Sequence, residues 1–222
     1  PNKEVRELPQ EMYMAVALFL PIPEEKGVRL QIAKRIYDVT STQKLSLPTP
    51  TLLNARTNYH QLSSCFKLNV ADDLRSIYHN IENMAQISKF GGGVGVYLGH
   101  IRSRGAAIRG EIGASGGVIP WVRVINDTAC AVNQLGARLG AISPTLDMWH
   151  RDINDYLNLQ VETGDIRSKA FDVFPAVSVP DLFMKRVEAN EDWTLFDPHE
   201  VHQVTGRRME DHFGEEFERF YE

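Results

Sequence analysis

The chain has 222 residues, 43% apolar and 24% charged, a balance that builds a buried core and excludes wholesale disorder. Its formal net charge of −5 offers no basic field to hold duplex nucleic acid. The longest apolar stretch, residues 13–20, is far short of the ~20 residues that span a bilayer, and two cysteines, Cys65 and Cys130, cannot make a secreted disulfide framework. The expected setting is the reducing cytoplasm, with no membrane and no nucleic-acid partner. The first residue is Pro1 rather than Met, which reads as a processed or cut boundary.

The first forty residues read as helical. Pro9-Gln10-Glu11 opens an apolar run that ends at Pro21 and Pro23. Pro23-Glu24-Glu25 then reads as a second helix start, with Val28, Ile32, Ile36 and Val39 as its apolar stripe. Leu47-Pro48-Thr49-Pro50 cannot be helix interior and marks a boundary.

Beyond that boundary the pattern becomes α/β. Residues 65–70 alternate, with Phe66, Leu68 and Val70 on one face and Cys65, Lys67 and Asn69 on the other. Asp72 or Asp73 caps a helix carrying Leu74, Ile77, Ile81 and Met84, stopped by Gly91-Gly92-Gly93. A short strand covers residues 94–98. Two glycine-rich connections and a helix over residues 120–133 follow. Ser143-Pro144 reads as the start of another helix, with Leu146, Trp149, Ile153 and Leu157 in register. Residues 171–179 read as a strand interrupted by Pro175, Pro180-Asp181 as a helix start, and residues 193–196 as a strand. Alternating strands and helices favour a mostly parallel sheet or barrel. At the end, Phe213, Phe217, Phe220 and Tyr221 share one face of an acidic helix. Such a face either docks on its own domain or is left uncovered by truncation, and truncation is the preferred reading.

Taken singly, the chemical signals leave alternatives open. No G-x-G-x-x-G or P-loop occurs. His199-Glu200-Val201-His202 has the wrong spacing for a zinc helix and reads as surface loop. Ser63-Ser64-Cys65 puts a thiol on the polar side of a strand beside Lys67, where a redox role competes with a bland buried cysteine. Cys130, among small residues, reads as core filler. Arg102, Arg104 and Arg109 sit in a glycine-bounded loop that is either solvated or built for phosphate. Residues 133–141 place Gln134 and Arg138 on a glycine-hinged loop able to read a base or to move as a switch.

Taken together and in order, LPTPTLLNAR (residues 47–56), QLSSC (61–65), FGGGVG (90–95), IRSRGAAIRG (101–110), NQLGARLGA (133–141), DMWH (147–150), PDLFMKRV (180–187) and WTLFDPHEV (193–201) closely resemble the large (alpha) subunit of class I ribonucleotide reductase. The resemblance runs from about residue 7 to the end. It implies an α/β fold: the end of a helical N-terminal domain (residues 1–58), then the first half of a ten-stranded α/β barrel (59–222), an incomplete barrel.

By the same resemblance, Cys65 is the reductant thiol of a thiyl-radical reduction of ribonucleoside diphosphates. Thr49, Ser64, Gly93 and Arg138 hold substrate. Asp72, Asp73, Leu74, Arg102 and Arg109 bind a deoxynucleoside triphosphate or ATP effector. Gln134 and Arg138 lie on the specificity loop that links the two sites. The family's radical cysteine, second redox cysteine, relay tyrosines, C-terminal cysteine tail and ATP-cone match nothing in these 222 residues, and Cys130 aligns with none of them. Leu139 stands where some members carry glycine.

The implied chain holds no cofactor or metal of its own and takes its radical from a metal-containing small (beta) subunit. Implied partners are a second copy through helices near the effector site, a thioredoxin- or glutaredoxin-type reductant, and a separate C-terminal alpha fragment if the gene is split. The alternative is a non-catalytic effector-binding and dimerisation fragment. An unrelated thiol protein is the third reading. A cobalamin-using relative is disfavoured by residues 49–56.

Overall fold

The computed structural model describes residues 7–58, 60–132 and 140–222, in two compact units, Pro1–Ser64 and Cys65–Glu222. In the first unit, α1 (Pro9–Phe19) starts at a proline whose missing N–H costs nothing there, and the Leu8 N–H donates to Glu11 Oε2 at 2.7 Å. Helix α2 spans Arg29–Ser41 and begins later than the Pro23 expectation, because residues 21–28 form turns before it. Val28, expected on its apolar stripe, precedes the helix and is exposed; Ala33 and Thr40 are the buried positions. Helix α3 (Thr49–Asn54) tolerates Pro50 in its first turn. Its Thr51 Oγ1 donates to the Leu62 carbonyl at 2.9 Å and its Asn54 Nδ2 to the Gln61 carbonyl at 2.8 Å, which fixes the segment leading to the sheet.

The second unit is a four-stranded parallel sheet in the order β1 (Cys65–Asn69), β2 (Gly93–Tyr97), β3 (Ile142–Asp147), β4 (Ala176–Ser178). Helix α4 (Leu74–Lys89) joins β1 to β2, α5 (Ile119–Ala131) lies between β2 and β3, and α6 (Ile153–Leu157) precedes β4. Helices α7 (Asp181–Ala189), α8 (Pro198–Thr205) and α9 (Gly214–Tyr221) follow. This is the α/β class expected, as part of a barrel that is not closed among the described residues.

The sheet's two faces differ. One carries Leu68, Val94, Val96, Ile142 and Leu146, packed with Ile77 and Met84 of α4, Val122 and Ile125 of α5, and Ile153 and Tyr156 of α6. Each fully buried aliphatic side chain contributes about 1.5–3 kcal/mol, so this face holds the unit together. The other face presents Cys65, Lys67 and Asn69 from β1, then Gly93, Gly95 and Tyr97, then Ser143, Thr145 and Asp147, then Ser178. Parallel sheets are normally covered on both faces by apolar packing. A face of small and polar side chains is what a barrel turns inward.

Several expectations change. Ser143-Pro144 lies inside β3 rather than at a helix start, and helix resumes only at Ile153. Pro144 is accommodated because it sits one residue before the β3–β4 ladder begins at Thr145. The Tyr156 hydroxyl donates to the Pro144 carbonyl at 2.6 Å. β4 begins only after Pro175. Residues 193–196 form no strand, only a bridge of Phe196 to His150. His199 to His202 are helical, in α8, where Asp197 caps the Glu200 N–H at 2.9 Å.

Leu74, at the first turn of α4, is exposed rather than part of its buried stripe. Cys130 is exposed, not core filler: the hydrogen bond with Asp172 and a smaller burial effect push its thiol pKa up. The aromatic face of α9 is covered by its own unit. Phe217 and Tyr221 are buried with Trp149, Leu182 and Met209, Tyr221 stacks on Trp193 at 4.4 Å, and its hydroxyl accepts the Thr194 N–H at 2.6 Å. Phe213 alone of the four is fully exposed.

Candidate functional site

Two places concentrate chemistry. The first is the start of the polar sheet face. Cys65, the first residue of β1, is exposed and in register with Gly93, the first residue of β2. Lys67 is in register with Gly95. The register partner on the neighbouring strand therefore brings no side chain beside the thiol. Ser64 immediately precedes Cys65. Thr49 is exposed at the start of α3 in the first unit. Gln134 and Arg138 lie outside the described residues.

Further along the same face the polar groups are partly or fully buried. The Tyr97 hydroxyl donates to Asp147. Burial, then the neighbouring charge, pushes the Tyr97 phenol pKa far up, and burial raises the Asp147 carboxyl against the opposing pull of the Tyr97 hydrogen bond. Beyond them, His100 Nδ1 meets Glu210 Oε1. Burial works to raise Glu210, but the hydrogen bonds from His100 and a backbone N–H, with the His100 and Arg208 charges, outweigh it and hold the carboxyl below its usual range.

The second place is a cavity of about 470 Å³ whose lining includes Asp72, Asp73, Leu74, Arg102, Arg109 and Trp121. The structure thus brings together all five residues expected at the effector site. Asp73 is the helix cap of α4: its Oδ1 accepts the Ser76 N–H at 2.9 Å. Asp72 instead faces the loop, accepting the Arg102 backbone N–H at 3.1 Å and the Arg102 Nε–H at 2.7 Å. Arg102 Nη1 donates to the Ala107 carbonyl at 2.6 Å, so the guanidinium is held at two points.

Arg109 is at the tip of a tight hairpin. Ile108 and Glu111 exchange backbone bonds of 3.1 and 3.0 Å around Arg109 (φ 53°) and Gly110 (φ 85°), the signature of a type I′ turn. A non-glycine residue in that region carries strain, here at a cation that lines the cavity. Ile77, Ile101, Ile108 and Trp121 supply apolar wall, and Trp121 meets Tyr78 edge-on at 6.0 Å. A lining that combines arginines with an aromatic ring suits a molecule with phosphates and a base.

Among the described residues no cluster of His, Cys, Asp and Glu could hold a metal ion, and no helix is long and apolar enough to cross a membrane. The residues that sequence reasoning missed are His150, Asp152 and Asp197, buried under the arginine loop. Their signal was polar residues inside otherwise apolar segments, and for Asp197 a capping residue directly before a proline.

A parallel sheet with one apolar and one polar face, a thiol at the start of its first strand, and a separate cavity set with arginines define a segment of an α/β-barrel protein. Residues 63–222 match the family described as ribonucleotide reductase, barrel domain, and residues 1–60 the family described as ribonucleotide reductase, all-alpha domain. The chain is 50% identical over 217 residues to the ribonucleoside-diphosphate reductase subunit alpha of Treponema pallidum, covering 97% of this chain and 26% of that protein. It is 48% identical over 215 residues to the subunit alpha of Synechocystis sp., covering 97% and 28%. To the ribonucleoside-diphosphate reductase large chain 2 of Saccharomyces cerevisiae it is 40% identical over 222 residues, covering 99% and 24%. This chain belongs to the ribonucleotide reductase family and spans about a quarter of the length of these relatives.

Proposed function

We propose that this chain is part of the alpha subunit of a ribonucleoside-diphosphate reductase. It supplies the end of the helical N-terminal domain and the first half of the catalytic barrel. Cys65 is one of the two thiols that reduce the substrate. The C2′ hydroxyl leaves as water, the sugar carbon gains hydrogen, and two thiols lose two electrons and two protons as they join in a disulfide. Thr49, Ser64, Gly93 and Arg138 hold the ribonucleoside diphosphate.

The radical that starts the reaction is not made on Cys65. It comes from residues outside these 222, fed by a metal-containing small subunit. A thioredoxin- or glutaredoxin-type protein restores the thiols. The observation that carries this reading is the placement of Cys65 on a polar sheet face whose neighbouring strand offers only glycine beside it.

The cavity at Asp72, Asp73, Leu74, Arg102 and Arg109 takes a deoxynucleoside triphosphate or ATP effector. Gln134 and Arg138 carry its identity to the substrate. A second copy of the chain docks through α4, where Leu74 and Tyr78 are exposed.

The test is turnover by the complete alpha subunit with its small subunit and a thioredoxin-type reductant. Wild type sustains reduction of a ribonucleoside diphosphate and Cys65→Ser does not; sustained turnover by Cys65→Ser overturns the assignment. A second reading, a non-catalytic effector-binding and dimerising module, is favoured by one fact: every residue lining the cavity lies within the second compact unit.

A further inference from the structure

The loop bearing Arg102 and Arg109 is anchored residue by residue. His150 Nε2 lies 2.9 Å from the Ile101 carbonyl, and His150 Nδ1 accepts the Asp152 N–H at 3.1 Å, which fixes the tautomer with Nε2 as donor. The next three backbone N–H groups each donate to a different carboxylate: Arg102 to Asp72 at 3.1 Å, Ser103 to Asp197 at 2.6 Å and Arg104 to Asp152 at 2.9 Å. Asp152 also accepts the Val118 N–H at 2.9 Å, so one carboxylate joins the two ends of residues 104–118. The ends come so close that a Cβ at Gly117 (φ +74°) would lie 2.2 Å from Asp152 Oδ2 and 2.6 Å from the Arg104 nitrogen.

Asp152 is 5% exposed and Asp197 is 2% exposed. Two buried carboxylates beside an anion pocket oppose anion binding by charge alone. Their bonds to backbone N–H groups give them another purpose. We propose that Asp152 is a positioning residue for the triphosphate pocket, closing the base of the arginine loop so that Arg102 and Arg109 are set before the ligand arrives. Asp197 supports it from the other side: its Oδ1 takes the Ser103 N–H and hydroxyl while its Oδ2 caps α8. This inference rests on the reading of the cavity as a triphosphate site.

Two measurements on the full chain test it. Hydrogen exchange without ligand is expected to show the Arg104 and Val118 amides protected; exchange at the rate of an open chain overturns the proposal. Calorimetric titration with dTTP then compares wild type with Asp152→Asn. Asparagine keeps one accepting oxygen and turns the other into an NH₂ that faces an N–H donor. Positioning predicts binding weaker by about tenfold or more. Charge alone predicts the opposite sign, so equal or tighter binding by Asp152→Asn overturns it.

Phe217→Leu, in the separate aromatic cluster, lowers stability without touching the loop and is expected to leave dTTP affinity unchanged within about twofold. If it weakens binding as much as Asp152→Asn, the loss is general destabilisation and the proposal fails. If wild type takes up no dTTP, the triphosphate reading fails and the positioning role with it. If wild type binds and Asp152→Asn binds as well, the positioning role alone fails.

Discussion

Cys65 and Gly93 sit opposite one another across the first two strands, and Gly93 sets no side chain of its own beside the exposed thiol. Gly93→Val puts a β-branched side chain beside the sulfur while suiting the strand. The sheet is expected to remain folded by circular dichroism, and alkylation of Cys65 by iodoacetamide to slow by about tenfold through lost access. An unchanged alkylation rate would show that Gly93 does not control access to Cys65.

Asp72 and Arg102 are each partly buried, and Asp72 bonds both the backbone and the side chain of Arg102. Arg102→Ala leaves that carboxylate without its guanidinium partner. A loss of about 1–3 kcal/mol in stability is expected by chemical denaturation, together with loss of dTTP binding by calorimetry. Arg102→Lys is not expected to rescue either, because an ammonium cannot bond Asp72 and the Ala107 carbonyl from one rigid fork.

The two roles of Arg109 separate under Arg109→Gly. Glycine relieves a positive φ worth about 1 kcal/mol and gives back about 0.4–1 kcal/mol in chain entropy, so stability stays within about 1 kcal/mol of wild type. Affinity for dTTP falls because the cation is gone. A variant that keeps full affinity would remove Arg109 from the pocket's chemistry.

Glu210 gives a pH dependence of defined sign. Its folded pKa lies below the usual 4.5, so its contribution is fully present above that value and is lost as pH falls through the folded value. Glu210→Gln is expected to be less stable than wild type at neutral pH by on the order of 1 kcal/mol. Thermal melts should show that difference shrinking as pH drops below 4.5, and a difference that grows there would mean the sign is wrong.

Asp73→Ala removes the cap of α4 and is expected to cost about 1 kcal/mol. Asp73→Asn, which keeps the accepting oxygen, should recover most of that in denaturant melts.

Much of the second unit was legible in the sequence because its cues are local. Alternation at residues 65–70 gave β1 and its polar side, the Asp72-Asp73 pair gave the α4 cap without deciding between them, and the order of strands and helices gave a parallel sheet. Local cues misled at Ser143-Pro144, where proline at a helix start and proline inside a strand, one residue short of the β3–β4 ladder, look alike. Cys130 looked like filler because small neighbours signal close packing, yet its own position on α5 faces outward. The effector residues were named only through family resemblance, since singly their loop read equally well as solvated. His150 and Asp197 appeared only inside family motifs, with no role of their own, and Asp152 did not appear at all. Their partners on the arginine loop and at its far end lie 34 to 94 residues away along the chain, and no spacing rule reaches that far.

The central claim is that Cys65 gives up electrons to substrate, and its oxidation state after reaction tests that most directly. The pre-reduced complete subunit is mixed with its radical-generating small subunit and a ribonucleoside diphosphate, without external reductant, and the thiols are alkylated and mapped by mass spectrometry. Once deoxyribonucleotide has formed, Cys65 is predicted to be lost from the alkylated pool and found in a disulfide, while Cys130 alkylates as before. Deoxyribonucleotide formed with Cys65 still alkylated in full would contradict the account.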